Sequence, residues 1–311
     1  GQYNTAVGSK ALDANTTANY NTAVGYLALT ANTTGTENTA IGSGALDANT
    51  TAYRNTAIGF DALGANITGE ENTAVGRYAL RENTTAHQNT AVGRNALKDN
   101  TTGSQNTAVG VNALEGNTTA SNNTAIGYFA LDANTTGTQN VAVGAYAMDA
   151  SSTSNYNTAV GYQALTANTS GDELVAIGNE ALATNTTGTQ NTAVGYRALK
   201  ANNGSSNTAV GESAMVSNTT GNNNVAIGRD CLDANTTGTG NVALGVAALG
   251  ANTTANYNTA IGLDVLQNNT TGTQNTALGQ NSLNANTTGN YNTAVGSGAL
   301  DANTTASNNT A

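Results

Sequence analysis

The chain has 311 residues and a formal net charge of −10, with no proline or tryptophan and only 9% charged residues, against roughly 25% in ordinary globular chains. Nine lysines and arginines without a basic cluster argue against nucleic acid as a partner. The single cysteine, Cys231, excludes an intramolecular disulfide and a cysteine-based metal site, and no apolar run is long enough to span a membrane.

A repeat of 17 residues accounts for the whole chain. Each repeat unit begins with Asn-Thr-Ala-Val-Gly or a close variant, and one shortened unit of 16 residues covers Asn191 to Ser206. Partial units stand at both ends, so we predict a single repeat array over residues 1–311. The 18 units start at positions 4, 21, 38, 55, 72, 89, 106, 123, 140, 157, 174, 191, 207, 224, 241, 258, 275 and 292.

The first five positions of the unit read as a β-strand. Position 3 is always Ala, position 5 is always Gly, and position 4 is always Val, Ile or Leu. Position 2 is Thr, with the β-branched alternative at Val141, Val175, Val225 and Val242. Because side chains alternate along a strand, we expect positions 2 and 4 to face inward. The Ala at position 3 would then face outward, closely covered by a second sheet or a second chain.

The middle of the unit predicts a corner followed by a core residue. The constant Gly at position 5 indicates a positive φ or a close approach of two backbones. Positions 6 and 7 accept many residue types. Position 9 is Leu in every unit except those that carry Met148 and Met215, so we expect this side chain to close the core.

The last part of the unit has turn chemistry. Asn-Thr-Thr or a near variant occupies positions 12 to 14, and Asn tolerates left-handed conformations and bonds to its own backbone. Stacked units would align these side chains into hydrogen-bonded ladders. The sequence therefore predicts an all-β fold, a parallel β-solenoid or β-roll of 17-residue repeats. Its thin core predicts association into a homo-oligomer, with a trimer favoured, or a filament.

Asn-x-Thr/Ser triplets recur at the turn. They are good turn and ladder sequence, which is the interpretation we favour, and in a eukaryotic secreted protein they would also be N-glycosylation acceptors. The candidate acceptors are Asn15, Asn32, Asn49, Asn66, Asn83, Asn100, Asn117, Asn134, Asn168, Asn185, Asn203, Asn218, Asn235, Asn252, Asn269, Asn286 and Asn303.

Residues that could carry chemistry do not form a pattern. His87 is the single histidine, at a variable position, and no glycine-rich loop is followed by the Lys and Ser or Thr of a phosphate site. Aspartates recur at position 10, but Arg81, Lys98 and Lys200 take the same position, which a calcium ladder would not tolerate. We expect no enzymatic activity, no catalytic residue, no cofactor and no metal.

The segment from Asn157 to Leu165, Asn-Thr-Ala-Val-Gly-Tyr-Gln-Ala-Leu, resembles the repeats of phage tail fibres and bacterial surface proteins. The Val-Ala-Ile-Gly segments at 175–178 and 225–228 are similar to the head repeats of trimeric autotransporter adhesins, although those repeats are usually shorter. The resemblance covers the whole chain. It implies a left-handed parallel β-roll, three chains side by side, and adhesion to a host or matrix surface.

Three functions follow as hypotheses. The first is a structural or adhesive fibre, extracellular, on the cell surface or on a virion, whose partners are copies of itself and a surface carbohydrate or receptor. The second is ice binding through the Thr columns at positions 2, 13 and 14; an inward position 2 would argue against it. The third is a glycosylated eukaryotic surface filament.

Overall fold

The computed structural model describes residues 1–311, which form two compact units, Gly1–Tyr156 and Asn157–Ala311. The boundary between them coincides with the start of the repeat at Asn157. The ordered secondary structure consists of three-residue β-strands, one in each repeat, and the structure contains no helix. Nothing in it therefore has the length and apolar character that a helical membrane crossing requires.

Nine parallel strands lie in each compact unit. Those of the first are β1 Thr5–Val7, β2 Thr22–Val24, β3 Thr39–Ile41, β4 Thr56–Ile58, β5 Thr73–Val75, β6 Thr90–Val92, β7 Thr107–Val109, β8 Thr124–Ile126 and β9 Val141–Val143. Those of the second are β10 Thr158–Val160, β11 Val175–Ile177, β12 Thr192–Val194, β13 Thr208–Val210, β14 Val225–Ile227, β15 Val242–Leu244, β16 Thr259–Ile261, β17 Thr276–Leu278 and β18 Thr293–Val295.

Neighbouring strands pair in the register of the repeat, so equal unit positions stack on one another. Between β4 and β5, for example, Ala57 pairs with Ala74 and Ile58 pairs with Val75. Each repeat is thus one coil of a parallel β-solenoid, and the predicted fold class is confirmed. The backbone hydrogen bonds between coils continue through the turns, so a coil is held by its neighbours along most of its path.

The strand faces are opposite to the prediction. The Ala at position 3 points into the coil: from Ala23 to Ala294 every one of these side chains is fully buried. Positions 2 and 4 point outward and are half-buried or exposed. The prediction that a second sheet or chain covers the Ala at position 3 is therefore wrong: the narrow interior of the coil itself leaves room for no more than a methyl group there.

The interior combines small apolar side chains, one Leu column and two amide columns. The Leu or Met at position 9 is buried as predicted, and so is the small residue at position 8. Asn at positions 1 and 12 is buried in nearly every coil. Buried amides are stable only when they are hydrogen-bonded, and here each column supplies partners to the next coil. The exceptions are the Oδ1 atoms of Asn15 and Asn134, which have no partner; the coil that follows Asn134 has Ser151 in place of Asn.

The amide ladders converge on one carbonyl per coil. The backbone N–H of Asn55 donates to Asn38 Oδ1 at 2.9 Å, and Asn55 Nδ2 donates to the carbonyl of Gly69 at 2.8 Å. Asn66 Nδ2 donates to the same carbonyl at 2.9 Å and to Asn49 Oδ1 at 3.2 Å. The predicted Asn ladders are therefore confirmed, and they form part of the core rather than a surface turn.

Left-handed backbone at fixed places explains several sequence preferences. Gly at position 5 has φ near +135°, for example 137° at Gly76, and an added Cβ there would lie 2.5 Å from the carbonyl oxygen of Gly93. Non-glycine residues at positions 7, 9 and 17 also have positive φ, as at Leu131 with φ 53°. β-branched residues are strained in this region, and none occurs at these three positions in any coil.

In the shortened coil, a side-chain oxygen takes over hydrogen bonds that a backbone carbonyl accepts in the regular coils. Between the two regular coils that precede it, the carbonyl of Thr186 accepts three hydrogen bonds. The donors are the backbone N–H of Thr169 at 3.0 Å, the Oγ1 of Thr169 at 3.1 Å and the backbone N–H of Ser170 at 3.2 Å. One coil later, Asn203 Oδ1 accepts the equivalent three bonds from Thr186 N, Thr186 Oγ1 and Thr187 N, at 2.7, 2.9 and 3.4 Å. The amide oxygen thus replaces the carbonyl of the missing residue.

Candidate interaction face

The outward side chains of positions 2 and 4 form a strip along the strands of each compact unit, here called the outward face. Its apolar part is the position 4 column, whose exposed members include Ile41 at 39%, Ile126 at 40%, Ile177 at 40% and Leu278 at 44%. Equal positions stack in register, so the exposed aliphatic groups are contiguous along each unit. Contiguous exposed apolar surface of this kind marks interaction sites.

The composition of the outward face is restricted although the face is open to solvent. Position 4 holds only Val, Ile or Leu, and position 2 holds only Thr or Val. Position 6, which is also exposed in most coils, accepts Ser43, Phe60, Arg77, Asn179 and Glu212. Strand propensity favours β-branched residues on the outward face, but it does not forbid charge there. Sequence reasoning missed this face because it placed the same columns inside.

The candidate glycosylation residues lie inside the coil. Of the 17 asparagines proposed, all are buried except Asn15 and Asn303, which are half-buried, and Asn203, which is exposed. The buried amides have their Nδ2 engaged, as Asn100 Nδ2 is with Asn83 Oδ1 at 3.0 Å and the Gly103 carbonyl at 2.9 Å. A glycan on such a nitrogen would have no space in the folded coil. Asn203 is the acceptor that the shortened coil leaves accessible.

The position 10 aspartates lie along one edge of the coils and are half-buried, except in the terminal coils, where Asp13 and Asp301 are exposed. Asp132 stacks between Glu115 and Asp149, which occupy the same unit position. Burial, followed by the negative charges of Glu115, Asp149 and Asp99, raises the pKa of Asp132 to about 6. Burial and a neighbouring carboxylate also raise the pKa of Asp47 and of Asp233. The six position 10 aspartates are Asp13, Asp47, Asp132, Asp149, Asp233 and Asp301.

His87 lies exposed in a shallow recess beside Tyr53, Glu70, Glu71 and Gln88. Its Nδ1 accepts a hydrogen bond from the backbone N–H of Glu70 at 3.0 Å. No group of three or more His, Cys, Asp or Glu side chains converges so as to hold a metal ion.

Cys231 is fully buried at position 8, where most coils have Ala. Burial raises the pKa of its thiol to about 12, so the reactive thiolate is scarcely populated at neutral pH. The structure confirms the interpretation of this cysteine as a small packing residue.

The aromatic side chains form small clusters on the coil surface. Tyr3 and Tyr20 stack with ring centroids 5.1 Å apart. Tyr128, Phe129 and Tyr146 form a cluster with centroid distances of 4.5, 5.4 and 5.9 Å. Other exposed rings are those of Tyr26, Phe60, Tyr162 and Tyr257.

No protein-family model matches the sequence, and a search of proteins with curated functions finds no significant relative.

Proposed function

We propose that this chain is a subunit of a structural, adhesive fibre that lies outside the cell or on a virion. The observation that carries the proposal is the outward face, where an aliphatic column, half-buried or exposed from coil to coil, is kept without interruption in both compact units. A solvated column would be expected to vary as position 6 does. Covering it with another copy explains the restriction, because burial of apolar surface stabilises association.

The partner on the outward face is a second copy of the same chain. Every copy has the same spacing between successive coils, so the aliphatic columns of two outward faces placed side by side stay in register along their length. Each coil has a single outward strand, which suits a closed arrangement around an axis; we favour a trimer. The surface available for association is therefore the aliphatic column at position 4, because the Ala at position 3 lies inside the coil.

Sedimentation velocity tests self-association directly. We expect the wild-type chain to sediment as a homo-oligomer, and a variant with Ile41→Ser, Ile58→Ser and Ile126→Ser to shift toward the monomer while keeping its circular dichroism spectrum. The matched control is Thr34→Ala with Thr51→Ala and Thr119→Ala, which changes three exposed turn residues in the same compact unit. A wild-type chain that remains a compact monomer up to high concentration would refute the proposal.

Ice binding is the second candidate, because the structure removes one argument against it. Position 2 faces outward, and eight of the nine strands of the first unit, all but β9, place a Thr there. In the second unit Val175, Val225 and Val242 interrupt the column, which favours association over ice. Thermal hysteresis at high protein concentration would support ice binding; its absence would remove this candidate.

The burial of the turn asparagines speaks against the third candidate, a densely glycosylated filament. An intact mass equal to that of the bare polypeptide, measured after expression in a eukaryotic host, is the expected result, with Asn203 the first place to search for an added glycan.

A further inference from the structure

Position 6 carries an unusual run in three successive coils of the first compact unit. Phe60, Arg77 and Arg94 occupy this position in register, and all three are exposed. Neighbouring strands of a sheet lie about 4.8 Å apart, so the two arginines emerge side by side. Tyr78 follows Arg77 at position 7 and adds a second ring to the group.

The ring of Tyr78 holds the Arg77 side chain in place. The guanidinium carbon of Arg77 lies 4.5 Å from the centroid of the Tyr78 ring and 5.9 Å from that of Phe60. Arg77 Nη2 also donates a hydrogen bond to the Tyr78 hydroxyl at 3.1 Å. Phe60 and Tyr78 meet edge to face at 5.5 Å. A side chain that is already ordered loses less entropy when it binds a ligand.

The two arginines have no carboxylate partner in the chain. Arg54, Arg81, Lys98, Arg197, Lys200 and Arg229 all form salt bridges, whereas Arg77 and Arg94 form none. Asp61 and Glu82, which follow Phe60 and Tyr78 closely in the sequence, form salt bridges with Arg81 at 2.7 and 3.3 Å. A chain with a net charge of −10 therefore presents a pair of adjacent unpaired cations next to an exposed ring.

We propose that Phe60, Arg77, Tyr78 and Arg94 form a binding site for an acidic carbohydrate, a sugar that carries a carboxylate or sulfate group. Two adjacent guanidinium groups match the paired oxygens of such an anion. The exposed face of Phe60 offers apolar contact to the C–H groups of a pyranose ring, as aromatic residues do in small-ligand sites. This assignment deepens the proposed adhesive role and rests on it, but it does not require self-association.

Isothermal titration of the full chain with defined probes tests the site. The probes are an oligogalacturonate for the carboxylate, a heparin-derived oligosaccharide for the sulfate, neutral dextran oligosaccharide, and polyglutamate as an acid without sugar. We expect one or both acidic sugars to bind at physiological salt, and Arg77→Gln with Arg94→Gln to weaken that binding at least tenfold. Phe60→Ser should weaken it several-fold.

The control is Arg229→Gln, which removes one positive charge from the same unit position but from an arginine paired with Asp230, and it is compared with Arg77→Gln alone as well as with the double variant. It should change the affinity less than twofold. The site is refuted if neither acidic sugar binds better than dextran, if polyglutamate binds as tightly, or if Arg229→Gln causes an equal loss. If the chain sediments as an oligomer but binds no acidic sugar, only the carbohydrate site is refuted. If it sediments as a monomer but binds an acidic sugar, only the proposed fibre is refuted.

Discussion

The interior of the coil and its outward face meet within a single strand. In β8, Ala125 is fully buried, while the next residue, Ile126, is 40% exposed. Both columns are restricted in sequence, but we assign different reasons to them: the interior has no space for a larger side chain, and the outward face keeps an apolar surface that we propose a partner covers. Constancy of a residue in a repeat therefore shows that its neighbourhood is crowded or covered, and does not show on which side of the strand it lies.

The largest loss of stability is expected when an asparagine of the interior amide ladder is replaced. Asn100 Nδ2 donates to Asn83 Oδ1 and the Gly103 carbonyl, and Asn117 Nδ2 donates to Asn100 Oδ1 at 2.7 Å. Asn100→Ala leaves the buried Asn83 Oδ1 without its donor. It also removes one of the two hydrogen bonds of the Gly103 carbonyl and of Asn117 Nδ2, which keep Asn89 and Ala120 as partners. The three losses together should lower the free energy of unfolding by about 4 kcal/mol. The neighbouring Thr102→Ala, at an exposed residue, should change it by less than about 0.5 kcal/mol. Equal effects in urea unfolding would show that the ladder is not buried.

Substitutions on the two faces of β8 should also differ in their cost to stability, with the larger cost at the buried residue. Ala125→Leu forces a large side chain into the filled interior and should cost about 3 kcal/mol. Ile126→Ser removes an exposed side chain and should cost well below 1 kcal/mol when it is measured at a dilution that keeps the chain monomeric. The reverse order, with Ile126→Ser the more damaging, would restore the assignment that the sequence first predicted.

The shortened coil offers a smaller test of the interior geometry. Asn203→Ala removes the oxygen that accepts three hydrogen bonds from Thr186 and Thr187, and we expect a loss of about 1 to 2 kcal/mol, moderated by solvent. Replacing Asn203 by Thr and inserting a second Thr after it restores the full-length repeat, so this variant should be at least as stable as the wild type. A destabilised full-length variant would mean that the coil depends on its deletion.

The smallest expected effect on stability is electrostatic and comes from the half-buried carboxylate of Asp132. The pKa of Asp132 is raised from 3.8 to about 6, so the folded chain binds this proton more tightly than the unfolded chain does. Stability should therefore rise as the pH falls from 7 through 6 toward 4, by about 1 kcal/mol after allowance for solvent screening. Asp132→Asn should lack this part of the pH dependence, and an identical pH profile in both proteins would contradict the assignment.

Much of the fold was predictable because the repeat samples one local environment many times. The coil length, the register, the positive φ at position 5 and the Leu of position 9 all followed from which residues each position accepts. The conformation of positions 7, 9 and 17 was also predictable in principle: Thr is abundant in the chain, yet no Thr, Val or Ile occurs at these positions. That absence is typical of left-handed backbone, which β-branched residues rarely adopt.

The side of the strand and the arginine pair were not predictable in the same way. An Ala–aliphatic alternation fits either orientation, and the choice depends on whether the coil interior is wide enough for a β-branched side chain. It is not, because the two Asn columns fill part of the interior. Phe60, Arg77 and Arg94 are each separated by one full repeat in the sequence, and only the stacking of coils makes them neighbours.

The central claim is that copies of the chain meet through the outward face, and thiol labelling tests it most directly. The native Cys231 is buried with its pKa raised to about 12, so it contributes little background. The thiol introduced by Ile126→Cys should react quickly in dilute solution and more slowly as the protein concentration rises, while one introduced by Thr136→Cys, at an exposed turn, reacts at a constant rate. A rate at residue 126 that matches the turn control at every concentration would contradict the claim.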